Sequence, residues 1–301
     1  RGCRRRGGGG LWVGSGRVRL AGQRLAGGGR GNGVQRNEES LLVNQKGQAG
    51  ERFEAVLELV NPATVRHARA VGLAEGWRVW EVGAGSQSVP AYFAEQVGAG
   101  GHVLATDIDT SWLVGGDSDY QVRRHDVGSE PPPEGSFDLV HARLVLAHVQ
   151  QRAYALASMI AALEPGGWLL LEEPDPALQP LVCPDESGPE QELANRLKRG
   201  FRALLTERGV DLAFGRSVPR LLRAGGLIEV QADAYFPMGG PACAELERAT
   251  VEQVRDGLIA AGIATVAEIE QHLLNVATGR LDLATSPMVS TWGRKAITLS
   301  R

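Results

Sequence analysis

Cysteine is scarce in this sequence, and so are the long apolar runs that membrane-spanning helices need. Cys3, Cys183 and Cys243 are the only cysteines among 301 residues, and none belongs to a C-x-x-C pair. Three widely separated cysteines argue against a disulfide framework and against a zinc site, and they are typical of a reducing compartment. No window approaches the ~20 apolar residues that cross a bilayer. We therefore expect a cytoplasmic protein with no membrane span and no bound metal.

Acidic residues outnumber basic ones over most of the chain. Residues 1–50 hold nine arginines and one lysine against two glutamates, whereas the whole chain has a net charge of −3. The remaining residues are therefore strongly acidic, and an acidic surface does not suit the phosphate backbone of nucleic acids. The basic segment alone would suit a nucleic-acid arm or an anionic membrane. For the folded part we predict no nucleic-acid or membrane partner.

Residues 1–49 are predicted to be a disordered leader rich in glycine and arginine. The first 33 residues contain thirteen of the forty glycines and have almost no apolar periodicity. Such a segment cannot offset the entropy lost on ordering. It lacks the apolar centre of a secretory signal peptide, while its arginines leave a transit peptide open. A first residue other than methionine also fits a start placed too early, a fragment or an expression scar.

Seven short segments are predicted to be strands, at residues 77–82, 102–106, 120–124, 137–142, 169–171, 227–236 and 288–292. Helical patterns separate several of them; Ala153, Leu156 and Ile160, for example, share one helix face. Two more helices are predicted at residues 51–59 and 62–71, the second with proline in its first turn. This alternation indicates an α/β fold, a Rossmann-like, doubly wound and mostly parallel sheet with helices on both faces. Ligands bind such sheets beyond the carboxyl ends of the strands.

Glycines and acids follow the first three predicted strands. The first ends in Gly83-Ala84-Gly85, where the backbone can turn sharply and approach a ligand, although Gly-x-Gly also occurs in ordinary strand-to-helix turns. Asp107 ends the second strand, where a carboxylate can accept hydrogen bonds from a ribose diol. Asp126 follows the third strand and would accept a hydrogen bond from an adenine amino group. Either acid would equally be an ordinary loop acid, and Asp109 is predicted to cap the next helix.

The order of these segments is more specific than any one of them. A known family has matching segments in the same order. In this chain they lie within residues 78–173, at residues 79–85, 103–109, 124–127, 137–149 and 163–173. This stretch resembles the class I S-adenosylmethionine-dependent methyltransferase domain, in the branch of the quinone-biosynthesis C-methyltransferases and the natural-product tailoring enzymes. The resemblance implies a domain at residues 50–301, with the cofactor core at 50–173 and a lid, substrate-side helices and last strands at 174–301. It also implies methyl transfer from S-adenosylmethionine to a small molecule, at oxygen or carbon.

The resemblance assigns roles by position. Asp107 would hold the ribose hydroxyls, and Ile108 would pack on the adenine. Asp126 and the Val127 backbone would read the adenine edge, and His141 would lie beside the methyl donor. The full set implied for cofactor binding is Glu81, Gly83, Ala84, Gly85, Asp107, Ile108, Asp126, Val127 and His141.

One position departs from the family pattern. The usual third glycine of the turn is replaced by Gln87, after Ser86. A side chain there would crowd the cofactor or force a positive φ, at a cost of roughly 1–2 kcal/mol. Weakened cofactor binding is therefore expected at this turn, and a catalytically inactive homologue that kept the fold stays open.

A base is needed only if the methyl acceptor must lose a proton. The candidates that follow the fourth and fifth strands are His141, His148, Glu172 and Glu173; His148 would equally pack within its apolar helical run, and the glutamates would equally anchor a lid. No Asn/Asp-Pro-Pro-Tyr segment follows the fourth strand, which in family terms speaks against methylation of an amino or amide nitrogen. A nicotinamide-dependent oxidoreductase is the other alternative, but its glycine fingerprint would need glycine where Ser88 stands. The substrate and the oligomeric state stay open.

Overall fold

Strands and helices alternate through residues 48–113 and 119–297, the part of the chain that the computed structural model describes. The strands are β1 Arg78–Val82, β2 His102–Asp107, β3 Gln121–Arg124, β4 Phe137–Arg143, β5 Leu163–Pro174, β6 Ile228–Tyr235 and β7 Met288–Arg294. The helices are α1 Gln48–Ala70, α2 Ser88–Val97, α3 Arg152–Ala161, α4 Pro189–Glu207, α5 Val218–Ala224, α6 Pro241–Ala260 and α7 Val266–Ala277. The seven predicted strands are confirmed with shifted ends. The predicted leader lies outside the described residues, except for its last two positions, which begin α1.

One sheet contains all these strands, in the order β3-β2-β1-β4-β5-β7-β6. The five strands from β1 to β5 pair in parallel, whereas β7 pairs antiparallel with both β5 and β6. This confirms the predicted Rossmann-like, mostly parallel sheet. Dinucleotide-binding sheets have the order 3-2-1-4-5-6, so the reversed β7 between β5 and β6 separates this sheet from the oxidoreductase alternative.

Apolar side chains from successive strand positions pack on opposite faces of the sheet. Trp80 and Val82 of β1 belong to the cluster that includes α3 and α5, whereas Val79 belongs to the cluster beneath α2. Strands covered on both faces are expected to be apolar throughout. Two further clusters join α1, α4, α6 and α7. Within the described residues, no helix is both long enough and apolar enough to cross a membrane.

The first helix differs from the prediction. The prediction of two separate helices, at residues 51–59 and 62–71, is wrong, because α1 runs through Pro62 without a break. Proline removes one hydrogen bond within a helix. Leu59 and Ala63, on either side of it, are both buried. Packing of both halves therefore keeps the helix continuous.

Candidate active site

A cleft of about 440 Å³ opens at the carboxyl edge of the parallel strands. Its walls come from the ends of β1 and β2 and from the loops after β3 and β4, which are neighbours in the sheet. This is the edge at which α/β sheets bind ligands. The residues that line it are Val82, Gly83, Asp107, Ile108, His125, Asp126, Val127, Gly128, Ser129, Leu144, Val145, His148, Val149, Gln150 and Gln151.

The glycine turn after β1 is packed against the loop after β4. Gly83 and Gly85 have φ values of +62° and +60°, a region that favours glycine. A Cβ atom on Gly83 would lie 2.5 Å from Val145 Cγ2. Gly85 donates its N–H to the Asp107 carboxylate at 2.9 Å. The turn and the acid that were predicted to share one ligand are therefore in direct contact.

Asp107 keeps acceptor capacity toward the cleft. Its two carboxylate oxygens accept the backbone N–H groups of Gly85 and Asp109, at 2.9 and 3.0 Å. Because an ionised carboxylate offers about four acceptor positions, two remain for donors such as ribose hydroxyls. Ile108 is 62% exposed, so its apolar side chain is available to pack on a flat ring. Asp109 caps the following turn by accepting the N–H of Ser111, although that turn is a single 3-10 turn.

Asp126 organises the turn after β3. Its carboxylate accepts the Gly128 N–H at 2.9 Å and the Ser129 hydroxyl at 2.7 Å. One acceptor position on each oxygen remains for another donor. Val127 is buried, and both residues line the cleft. This end of the cleft therefore combines an acid with an apolar floor.

The strain expected at Gln87 is absent. Gln87 has φ −76° and ψ −19°, in the ordinary right-handed helical region, at the residue that precedes α2. Its side chain is exposed. The expectation of a positive φ at this position is therefore wrong, whereas crowding of the cofactor by the Gln87 side chain stays a prediction.

Four of the residues implied for the cofactor, Gly85 among them, do not line the cleft. Glu81, Ala84 and His141 are buried, with His141 completely inaccessible. His141 of β4 is paired with Glu81 of β1 in the sheet. Its two ring nitrogens face Glu81 Oε2 at 2.5 Å and Glu172 Oε2 at 3.3 Å. The histidine expected beside the methyl donor instead lies between two carboxylates beneath the cleft.

The buried carboxylates hold His141 in its charged form. Burial acts to lower the pKa of His141, but the charges and hydrogen bonds of Glu81 and Glu172 outweigh it and raise the pKa to about 9. Burial acts in the opposite sense on Glu172, yet the hydrogen bonds from His141 and His67 hold the pKa of that carboxyl well below its usual range. The cluster therefore contains an imidazolium with ionised Glu172 beside it.

The same cluster connects α1 to the sheet. Thr64 donates its hydroxyl to Glu172 and accepts a hydrogen bond from Arg143 at 2.9 Å. His67 lies 3.3 Å from Glu172 and 3.0 Å from Asp233 of β6. Sequence reasoning missed this network; its signal was the pair of polar residues at 141 and 143, which follow apolar Leu139 and Val140 in β4.

His148 is the candidate base that lines the cleft. The cleft removes part of the water around the ring, and the cations Arg52 and Arg152 act in the same direction, so the pKa of His148 is lowered. A neutral imidazole can accept a proton near neutral pH. Glu172 and Glu173 are both fully buried on opposite faces of β5, and neither lines the cleft.

The chain is similar to known methyltransferases in sequence and in fold. The family model for the methyltransferase domain matches residues 49–227. The ubiquinone/menaquinone biosynthesis C-methyltransferase UbiE of Vibrio cholerae is 36% identical over 120 residues, which are 36% of this chain and 46% of that protein. The corresponding protein of Nitrosospira multiformis is 32% identical over 109 residues, 34% of this chain and 45% of its own length. The chain thus spans about half the length of the curated relatives it matches.

A solved structure agrees at the level of the fold. A proposed methyltransferase from Bacillus halodurans aligns with a TM-score of 0.50 and 15% identity, over 77% of this chain and 98% of that one. At this identity the likeness concerns the fold alone. The family model, however, covers more than half of the chain, and the chain therefore belongs to the class I S-adenosylmethionine-dependent methyltransferases.

Proposed function

We propose that this chain transfers a methyl group from S-adenosylmethionine to a small-molecule acceptor, with the cofactor in the cleft beyond β1 and β2. The observation that carries the proposal is the 2.9 Å hydrogen bond from Gly85 to Asp107. That bond brings the glycine turn and the acid to one side of one cleft, so a single nucleoside can reach both. The curated relatives are named as methyltransferases, which supports methyl transfer, and the match covers about half of their length.

The cleft fits an adenosyl ligand. Its volume of about 440 Å³ is in the usual range for small-molecule sites. Gly83 turns the backbone with a positive φ at this end of the cleft, which suits close approach of the methionine part to the backbone. Asp107 would hold the ribose hydroxyls, Ile108 would pack on the adenine, and Asp126 with the Val127 backbone would read its edge.

Residues beneath the cleft would support these contacts. Glu81 and His141 would fix the end of β1 that leads into the glycine turn, and Ala84 would pack beneath that turn. Bound in the cleft, S-adenosylmethionine supplies a methyl group on a sulfonium, and the chain's own contribution is proximity and alignment. A catalytic role for His141 is not favoured, because its ring has no exposed surface.

For the acceptor we propose an aromatic carbon of the quinol type. The relatives' names, which specify C-methylation in ubiquinone and menaquinone biosynthesis, support this class. A carbon acceptor must lose one proton as its new carbon–carbon bond forms, and His148 would take that proton because it lines the cleft in neutral form. His148→Ala should then lower kcat for quinol methylation about a hundredfold and leave cofactor affinity nearly unchanged.

Calorimetry with S-adenosylhomocysteine tests the cofactor site. Asp107→Ala should weaken binding at least tenfold, or about 1.4 kcal/mol, because the ribose loses its acceptor. Asp119→Ala, an exposed acid just before β3, is the matched control and should bind like the wild type. Equal affinities for the two variants would reject the ribose assignment. Binding of NAD in place of S-adenosylhomocysteine would reject the proposed function.

A further inference from the structure

Glu173 is a buried acid that takes no part in the proposed cofactor contacts. It lies near the end of β5 and has no exposed surface. One carboxylate oxygen accepts the backbone N–H groups of Val145 at 3.2 Å and Leu146 at 2.7 Å, and the other accepts that of Ala147 at 3.2 Å. A single buried carboxylate thus satisfies three consecutive N–H groups of the loop after β4, and charge-assisted bonds of this kind are the stronger ones.

The segment held in this way forms one wall of the cleft. Val145 Cγ2 occupies the space next to Gly83, 2.5 Å from where a Cβ atom would lie, and Val149 Cγ1 would lie 3.0 Å from a Cβ atom on Gly128. The segment therefore contacts both the glycine turn and the adenine end. Leu144, just before it, has φ +60°, a conformation that costs a residue with a side chain roughly 1–2 kcal/mol.

A strained residue persists only where its surroundings hold it. Leu144 donates its N–H to the Glu172 carbonyl at 2.9 Å, and the next three N–H groups end on the Glu173 carboxylate. Without that carboxylate the three N–H groups lose their buried acceptor. Among the described residues, no other acceptor lies within hydrogen-bond distance of these N–H groups. The wall would then shift, and Val145 and Val149 would shift with it.

We propose that Glu173 is a positioning residue for the cofactor, whose ionised carboxylate fixes residues 145–147 and thereby the wall that faces the glycine turn and the adenine end. It acts through this backbone and does not touch the ligand. The inference rests on the proposed function, because the cleft must be the cofactor site for the wall to matter.

The ionisation of Glu173 falls within a measurable range. Burial raises its pKa to about 7, against the opposing effect of the three N–H groups and of Arg152. The other charged groups on the surrounding elements are His148 on the same loop, Asp211 beside Arg152, and the pair Asp175–Arg216 after β5. Protonation removes the negative charge and makes one carboxylate oxygen a donor with less acceptor capacity, so the hydrogen bonds from the loop N–H groups weaken. Cofactor affinity should therefore fall as the pH drops through 7.

The test is calorimetry with S-adenosylhomocysteine. Glu173→Gln keeps the shape but directs an NH2 group at the loop, and affinity should fall about tenfold. Glu164→Gln, at the exposed start of the same strand, is the matched control and should bind like the wild type. Between pH 8 and pH 6.5, wild-type affinity should fall about fourfold if only the ionised form binds, whereas the Gln variant should show no such fall.

The outcomes separate the inference from the proposed function. A wild type that does not bind S-adenosylhomocysteine rejects the proposed function itself. A wild type that binds, together with a folded Glu173→Gln variant of equal affinity, rejects the positioning role. If Glu173→Gln does not fold, the wild-type pH series decides, and an affinity that is flat from pH 8 to pH 6.5 overturns the inference.

Discussion

Gly83 shows most directly how one residue defines the cleft. It combines a positive φ with a position where a Cβ atom would overlap Val145. Backbone conformation and close approach thus both require glycine. Gly72 has a positive φ as well, but nothing lies within 4 Å of its Cβ position. These two glycines allow the steric effect to be separated from the conformational one.

Gly83→Ala should cost more stability than Gly72→Ala. Both variants pay roughly 1–2 kcal/mol for the positive φ, but only Gly83→Ala must also displace Val145. Affinity for S-adenosylhomocysteine should fall at least tenfold in Gly83→Ala and stay unchanged in Gly72→Ala. Chemical denaturation and calorimetry measure the two effects. Equal losses of stability with unchanged affinity would show that Val145 moves freely.

His141 makes stability depend on pH. Its folded pKa of about 9 exceeds the value of ~6.5 for an unfolded histidine. Protonation therefore favours the folded state; the contribution is complete below pH 6.5 and is lost as the pH rises through 9. The free energy of unfolding should fall by about 3 kcal/mol across this range because of this residue.

Chemical denaturation at pH 6.5 and pH 9.5 measures this change in the free energy of unfolding. The wild type is compared with the variants His141→Gln and His102→Gln. His102 lies at the start of β2, away from this cluster. The His102 variant should keep the wild-type slope, and the His141 variant should lose most of it. A wild-type slope in His141→Gln would mean that another group is responsible.

At the scale of elements, α1 is attached to the sheet by polar side chains as well as by apolar packing. Asn61 and Thr64 accept hydrogen bonds from Arg143 at 3.0 and 2.9 Å, and Thr64 also donates to Glu172. These bonds lie next to Pro62, where the helix itself lacks one hydrogen bond. The polar contacts thus support the helix at its weakest point.

Thr64→Val should destabilise the protein by about 1–3 kcal/mol, because Arg143 and Glu172 each lose a buried partner. Thr64→Ser keeps the hydroxyl and should cost only about 0.8 kcal/mol for the lost methyl group. Hydrogen exchange should be faster in α1 of the Val variant and unchanged in α7. Equal behaviour of the two variants would show that the hydroxyl contributes nothing.

At the scale of the whole described domain, the cleft and the outer helices belong to different packing units. The cleft lies above the two clusters that sandwich the sheet, whereas α4, α6 and α7 pack mainly in clusters of their own. A ligand held by the loops of the sheet should therefore order those loops first. The outer helices should respond only if an acceptor binds beneath them.

Hydrogen exchange with and without S-adenosylhomocysteine checks this division. Protection should increase in peptides that cover residues 83–88, 107–113, 126–129 and 144–151. Peptides from α7 should exchange at the same rate in both samples. Protection confined to α6 and α7 would mean that the cofactor binds elsewhere than in the cleft.

The sequence by itself determined the α/β class, the seven strands and the residues that follow them. Alternating apolar patterns are local, so they can be read without coordinates, and the glycine turn and Asp107 stand at fixed positions relative to strand ends. The tertiary structure alone decided that α1 continues through Pro62, that Gln87 is unstrained, and that His141 is buried between carboxylates. Each of these depends on residues distant in sequence, whose contacts form only when the strands and helices pack.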